Sequence, residues 1–284
     1  MTVQGRLRRP WLALLAGALA ILALLGTTLP TSVPAASAQG SMVQVEWLGW
    51  SFFRFTSPNG KVILTNPYIT GNADAAVSID DVTRADLILV ADGHADEVGD
   101  TLAIAQRTGA LVHGPSRVVR WLVSEGLPDA QARFGNQGER LTLDGITVRQ
   151  VWSVHDNSLQ RPTPTLTYGG PASGFYITFE NGWTVYFSGS SAATADQGIW
   201  GQIYKPDAMI FHMSVTKEPL DAAASIKLTA ADNPNLRTLM PHHHRVTPPA
   251  GATSVDDVQA GLANMGVDIP ITNQVRSQVY QFSK

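Results

Sequence analysis

Hydrophobic and polar positions alternate along residues 43–48, and further apolar stretches follow at 52–55 and 61–65, the last two separated by the Pro58-Asn59-Gly60 turn. A period of two sends successive side chains to opposite faces of a sheet, so these runs predict short strands in an antiparallel opening. Residues 85–91 (ADLILVA) replace the alternation with an almost unbroken apolar run, which predicts a strand buried on both faces. Residues 101–108 and 116–125 read as helices, with a short strand at 110–113 between them and Gly126 after the second. The order here is βαβα.

A second half repeats the succession. Strands are predicted at 139–143, 146–154, 174–180 and 183–188, with Asp144-Gly145 and Asn181-Gly182 at turns; Asn-Gly between apolar runs is a strong hairpin signal. An apolar strand at 208–211, a helix at 220–231, a strand at 237–240 and a terminal helix and strand complete the chain. Two β-then-α halves predict two sheets packed face to face with helices outside, a four-layer αββα sandwich of the α/β class.

The first 38 residues follow another pattern. Arg6, Arg8 and Arg9 precede an apolar run over 11–25, then come Pro30, Pro34 and the small triplet Ala36-Ser37-Ala38. Basic, apolar and small residues in that order read as an export signal over 1–38, with cleavage after Ala38. Residues 39–284 then form one domain outside the cytoplasm: periplasmic, extracellular or in the envelope. Arg8-Arg9-Pro10-Trp11-Leu12 also loosely fits a twin-arginine signal, leaving the export route open. An uncleaved anchor is the alternative, because residues 11–29 approach the roughly 20 apolar residues that a bilayer helix needs; the Ala-Ser-Ala triplet favours cleavage.

Hydrophobic residues make up 44% and charged residues 15% of the 284, enough apolar content for a substantial core. The formal charge of −3 becomes about −6 once the three leader arginines are removed. No cluster of Lys and Arg offers phosphates a footing, so nucleic acid is not an expected partner. There is no cysteine, which excludes disulfides, thiolate ligands and a Cys nucleophile. Any metal must be held by histidines and carboxylates.

Such residues concentrate directly after the buried strand, where Asp92, His94, Asp96 and Glu97 fall within one short stretch. Loops at strand ends are where α/β proteins place reactive groups. Three carboxylates drawn together repel one another unless a cation or a proton relieves them. The bland alternative is a solvated acidic turn. His155 follows another predicted strand, with Asp156 and Asn157 beside it to orient its ring, and His242-His243-His244 follows Pro241 at a third strand end. His113 and His212, next to apolar strand residues, read as structural histidines.

The stretch 85–114 resembles the metallo-β-lactamase superfamily signature, in which two histidines flank a Gly and an Asp-His pair follows. Val98-Gly99-Asp100, Ile104-Ala105 and Arg107-Thr108-Gly109-Ala110 are most similar to its ascorbate-6-phosphate-lactonase-like branch. Further matches run in order along the chain: Trp47-Leu48-Gly49, Asn66-Pro67-Tyr68, Val154-His155, Tyr186-Phe187-Ser188-Gly189-Ser190-Ser191, Pro206-Asp207 and Pro241-His242-His243.

The resemblance implies a metallo-β-lactamase-like domain over 39–284 and a hydrolase metal centre. In the family a histidine trio holds one metal; a second is held by Asp, His and a late His, with a bridging Asp between. Carried over, His94, Asp96, His155 and His243 occupy retained ligand positions, with His242 the alternative to His243. Asp92 and Glu97 stand where histidines are expected, Ser190 where the bridging Asp belongs, Trp50 in place of a histidine and Asn66 in place of an aspartate. Carboxylate for imidazole shifts preference from zinc toward harder ions such as manganese. The expected cofactor is one or two divalent ions, Mn or Zn, held by Asp92, His94, Asp96, Glu97, His155 and His243, with Asp96 also accepting a proton from water. The expected partner is a small ester, lactone or phosphoester. The competing expectation is an inactive descendant that keeps the fold as a ligand-binding or scaffold module.

Overall fold

The computed structural model describes residues 41–159 and 167–284. The expected leader at 1–38 lies outside the described residues, as do residues 160–166 of the loop after His155. β1 (Val43–Trp47), β2 (Phe53–Thr56) and β3 (Val62–Thr65) form the expected antiparallel meander. The apolar run after Ala85 supplies β4 (Leu87–Leu89), parallel to β3. Then come α1 (Ala95–Val98), α2 (Thr101–Thr108), β5 (Leu111–Pro115), α3 (Ser116–Ser124) and β6 (Ala132–Gly135).

The second half contains β7 (Arg140–Leu143), β8 (Ile146–Trp152), a small ribbon of β9 (Ser158–Leu159) and β10 (Thr167–Tyr168), then β11 (Ser173–Thr178) and β12 (Thr184–Phe187). It continues with α4 (Asp196–Tyr204), β13 (Ala208–His212), α5 (Pro219–Ala230), β14 (Thr238–His242), α6 (Val255–Asn264) and β15 (Val279–Phe282). One sheet has seven strands in the order β15-β1-β2-β3-β4-β5-β6, and the other six, β14-β13-β12-β11-β8-β7.

Alternation along the strands builds the layers. Ile63, Leu87, Leu89, Phe175, Ile177, Val185, Phe187 and Ile210 point between the sheets into one core. Their immediate neighbours point outward: Leu64 and Ile88 meet Ile104, Val118 and Leu122 of α2 and α3. On the other sheet Tyr176, Tyr186 and Met209 meet Ala222, Ile226, Val258 and Leu262 of α5 and α6. Each large apolar side chain removed from water in these layers contributes about 1.5–3 kcal/mol. The result is the expected αββα sandwich.

Several elements besides the short ribbon β9–β10 carry no clear signal in the sequence. α1 has only four residues, too few to show a helical period, and β6 is a four-residue edge strand. α4 is interrupted in sequence by Gly198 and Gly201. Gly201 is required by packing, because a Cβ there would lie 2.4 Å from the Thr229 carbonyl oxygen of α5.

His113 on β5 is buried, with Nδ1 3.0 Å from the Arg133 carbonyl oxygen, so the ring donates to that oxygen. Burial pushes its pKa from 6.5 down to about 4. The unfolded chain therefore takes up a proton that the folded chain refuses. Stability is complete above pH 6.5 and declines as the pH falls toward 4. In denaturant titrations across that window, His113→Gln is expected to remove about 3 kcal/mol of the acid-induced loss. An unchanged pH slope in the variant contradicts this role.

Candidate metal centre

The parallel strands β4, β12, β13 and β14 all end at one edge of the sandwich, where their loops supply the candidate residues. β4 runs through Asp92-Gly93-His94 into α1. A Cβ on Gly93 would lie 2.7 Å from Leu159 and 3.1 Å from Asn157 Oδ1, so the loop can lie against β9 only without a side chain there. Asn157 Oδ1 accepts a hydrogen bond from Gly93 N at 2.7 Å, which fixes this approach. β8 leads into the loop that carries His155, β12 into Ser188–Ser191, and β13 and β14 end on His212 and His242.

His243 has a left-handed backbone, φ 65°, which costs a non-glycine residue about 1–2 kcal/mol. That turn breaks the strand alternation and sets His243 Nδ1 2.9 Å from His242 Nδ1. His243 Nε2 then faces the acids, at 3.2 Å from Glu97 Oε1 and 3.7 Å from Asp96 Oδ2. His242 turns away, its Nε2 3.2 Å from the Gly189 carbonyl oxygen.

The six candidate residues fall into two groups. Asp92, His94 and His155 form the first: His94 Nδ1 is 3.1 Å from Asp92 Oδ1, and His155 Nε2 is 4.0 Å from Asp92 Oδ2. One ligand atom from each lies within 4.8 Å of the others. Asp96, Glu97 and His243 form the second, with Trp50 Nε1 donating to Asp96 Oδ2 at 3.0 Å and Ser190 Oγ to Glu97 Oε1 at 2.7 Å. Between them stands His212, whose ring centroid is 6.2 Å from that of His155 and 5.2 Å from that of His243. His212, expected to be a structural histidine beside apolar strand residues, is the last residue of parallel β13, and that strand-end position is the sequence signal that brings it to this edge. Asp156, expected to orient His155, instead lies 3.3 Å from His94 Nε2 and accepts from Ser158 Oγ at 2.7 Å.

The charges follow the geometry. The Asp92 hydrogen bond raises the His94 imidazole to about 9. Burial lowers His155, and lowers His212 and His242 further. Burial also works to raise Asp96, but the hydrogen bond and charge of His243 and the Trp50 N–H outweigh it and hold the group at about 2. Glu97 is pushed well above the usual carboxylate range, first by burial and then by Asp92 and Asp96.

The first group fits a divalent cation. Asp92 is fully buried, yet its Oδ2 has no hydrogen-bond partner among the described residues. A carboxylate oxygen left so is costly unless a positive charge meets it. Ligands about 2.1 Å from a tetrahedral zinc stand about 3.4 Å apart, and His155 Nε2, 4.0 Å from that oxygen, needs only a small shift to share an ion with it.

Residues 61–263 match the family described as a Beta-lactamase superfamily domain. The chain belongs to that superfamily. Among its relatives, a UPF0173 metal-dependent hydrolase of Cupriavidus taiwanensis is 31% identical over 281 residues, covering 90% of this chain and 96% of that protein. Another UPF0173 metal-dependent hydrolase, from Rubrobacter xylanophilus, is 27% identical and covers 80% of this chain and 92% of that protein. The solved structure of Igni18, described as a novel metallo hydrolase from Ignicoccus hospitalis, superposes with a TM-score of 0.71 at 20% identity, over 86% of this chain and 100% of that one. Superfamily membership and the Asp92-His94-His155 cluster together support a metal-dependent hydrolase in general terms.

Proposed function

We propose that this chain is an exported metal-dependent hydrolase of a small ester, lactone or phosphoester, with one cation held by Asp92, His94 and His155. The observation that carries the reading is the buried, unpartnered Asp92 Oδ2 in a cluster with the imidazoles of His94 and His155. Two histidines and one carboxylate suit Zn and remain competent for Mn. A divalent ion bound there would polarise a carbonyl or phosphoryl oxygen and bring the pKa of water near neutrality.

The chain's own groups do the rest. Asp156 and Ser158 fix the His94 ring so that Nδ1 faces the cluster. Asp96, held ionised by His243 and Trp50, is the nearby acceptor for a proton leaving water. Substrate has room beside His155 in a cavity of about 500 Å³ lined by Trp152, Asp156, Asn157 and Tyr168. A larger cavity of about 570 Å³ beside Trp47 and His244 includes none of the three ligands. Trp152 and Tyr168, exposed at 43% and 58%, offer this cavity two aromatic faces on which a substrate can pack. Trp152→Ala is expected to raise KM by about threefold to tenfold with kcat nearly unchanged, the loss of about 1 kcal/mol of ring contact. An unaltered KM contradicts this placement of substrate.

Tag-free protein treated with chelator should lose hydrolysis of generic lactone, ester and phosphodiester substrates and regain it with Mn²⁺ or Zn²⁺. Turnover indifferent to both treatments contradicts the proposal. The second reading, a ligand-binding descendant, is favoured by Ser190, which donates a hydrogen bond to Glu97 where the resemblance expects a bridging acid. Metal-loaded protein that gains thermal stability from small ligands yet turns none over would select it. The lactonase-like branch is supported by the motifs from Val98 to Ala110, and export by the order of residues in 1–38. A mature N-terminus at Gln39 is the test of export.

A further inference from the structure

We infer that the centre is mononuclear, its second half closed by hydrogen bonds around Glu97 and His243 where a second cation would otherwise bind. The inference rests on the proposed triad, which it takes as the site of the one metal.

Glu97 is 1% exposed, and its two carboxyl oxygens together have about four lone-pair positions. Four polar groups surround them. Ser190 Oγ at 2.7 Å and His243 Nε2 at 3.2 Å approach Oε1; Ser51 Oγ at 3.2 Å and the Asn66 side-chain amide approach Oε2. Ser51 and Asn66 are fully buried and Ser190 nearly so, so a cation that displaced these donors would strand them without water to replace the acceptor. Asn66 is further locked because its Oδ1 accepts from Ala91 N at 2.9 Å.

The other two potential ligands are similarly engaged. Asp96 Oδ2 takes the Trp50 indole N–H at 3.0 Å and faces His243 Nε2. Both nitrogens of His243 have partners, Nδ1 in His242 and Nε2 in the acids. His242 Nε2 donates to the Gly189 carbonyl oxygen, so its Nδ1 accepts from His243 Nδ1–H. A proton must then lie between His243 Nε2 and Glu97 Oε1 for that contact to be a hydrogen bond.

Three of the five departures from the resembled pattern acquire a common sense here. Trp50, Asn66 and Ser190, which replace a histidine, an aspartate and the bridging aspartate, each donate to one of the two acids. One of them, Ser190, puts a donor at a ligand position, and all three donors lie in the same half of the centre. The first half shows the opposite condition, an acceptor with no donor.

The test is the metal content of tag-free, full-length protein equilibrated with excess Zn²⁺ and, separately, Mn²⁺, then dialysed, read by elemental analysis and by native mass spectrometry. One ion per chain is expected, unchanged in His243→Ala and in the milder Ser190→Ala, and lost in His155→Ala. Two ions per chain in the wild type, falling to one in His243→Ala or Ser190→Ala, would overturn the inference while leaving the triad intact. No ion in the wild type would overturn the triad itself, and with it this inference.

Discussion

Alanine in place of His94 or His155 is expected to abolish metal-dependent turnover, lowering kcat/KM by at least about a thousandfold, equivalent to about 4 kcal/mol of transition-state stabilisation. The two rings supply two of the three donors in the cluster, so each variant leaves a cation with one imidazole and one carboxylate. His155 lies outside the core between the sheets, so His155→Ala should change thermal stability without metal by no more than about 1 kcal/mol, whereas His94→Ala also removes the imidazole paired with buried Asp92 and should destabilise more. The check is paired: turnover and bound metal on one side, circular dichroism melts on the other. Activity surviving in both variants contradicts the assigned centre.

Phe187→Ala should have the largest effect on folding, a loss of about 3–5 kcal/mol, a large share of the stability of a typical domain. Phe187 ends β12 fully buried between the sheets, its ring edge-on to Phe53 at 6.4 Å. Its other face stacks on His242 at 4.9 Å, and His242 in turn meets His243. The cavity left by the phenyl ring would therefore loosen the hydrogen-bonded half of the centre as well as the core. Denaturant titration measures the stability, and a loss below about 1 kcal/mol would mean that this part of the core collapses freely around the gap.

The layers were legible because burial imposes a period. Ile63 and Leu64, or Tyr186 and Phe187, lie on opposite faces, and each face has its own apolar partner, so strands announce themselves as alternating or unbroken apolar runs. α1 and β6 were not legible because four residues cannot display a period against an irregular background. At the centre, the ligand-capable side chains of the β4–α1 loop were visible as a dense run, and His155 and His243 through the resemblance and their places at strand ends.

What the sequence withheld was grouping. Nothing in the spacing of Asp92, His94, Asp96 and Glu97 shows that the loop divides, with the first two facing His155 and the last two facing His243. That division depends on the first turn of α1, which changes the direction of successive side chains, and on the left-handed backbone at His243. His212 was hidden for a related reason: beside Phe211 it reads as one more buried strand position, and only the arrangement of β13 between β12 and β14 brings it between the two groups. Asp156 pairs with His94 across the loop because of the local path of residues 153–158, which no propensity specifies.

The most direct test of the central claim is a crystal of the tag-free protein grown with Zn²⁺ or Mn²⁺, with diffraction recorded on both sides of the metal's absorption edge. The account predicts one strong anomalous peak within coordination distance of Asp92 Oδ2, His94 Nδ1 and His155 Nε2. A peak located elsewhere, or no peak beside that carboxylate at saturating metal, would contradict it.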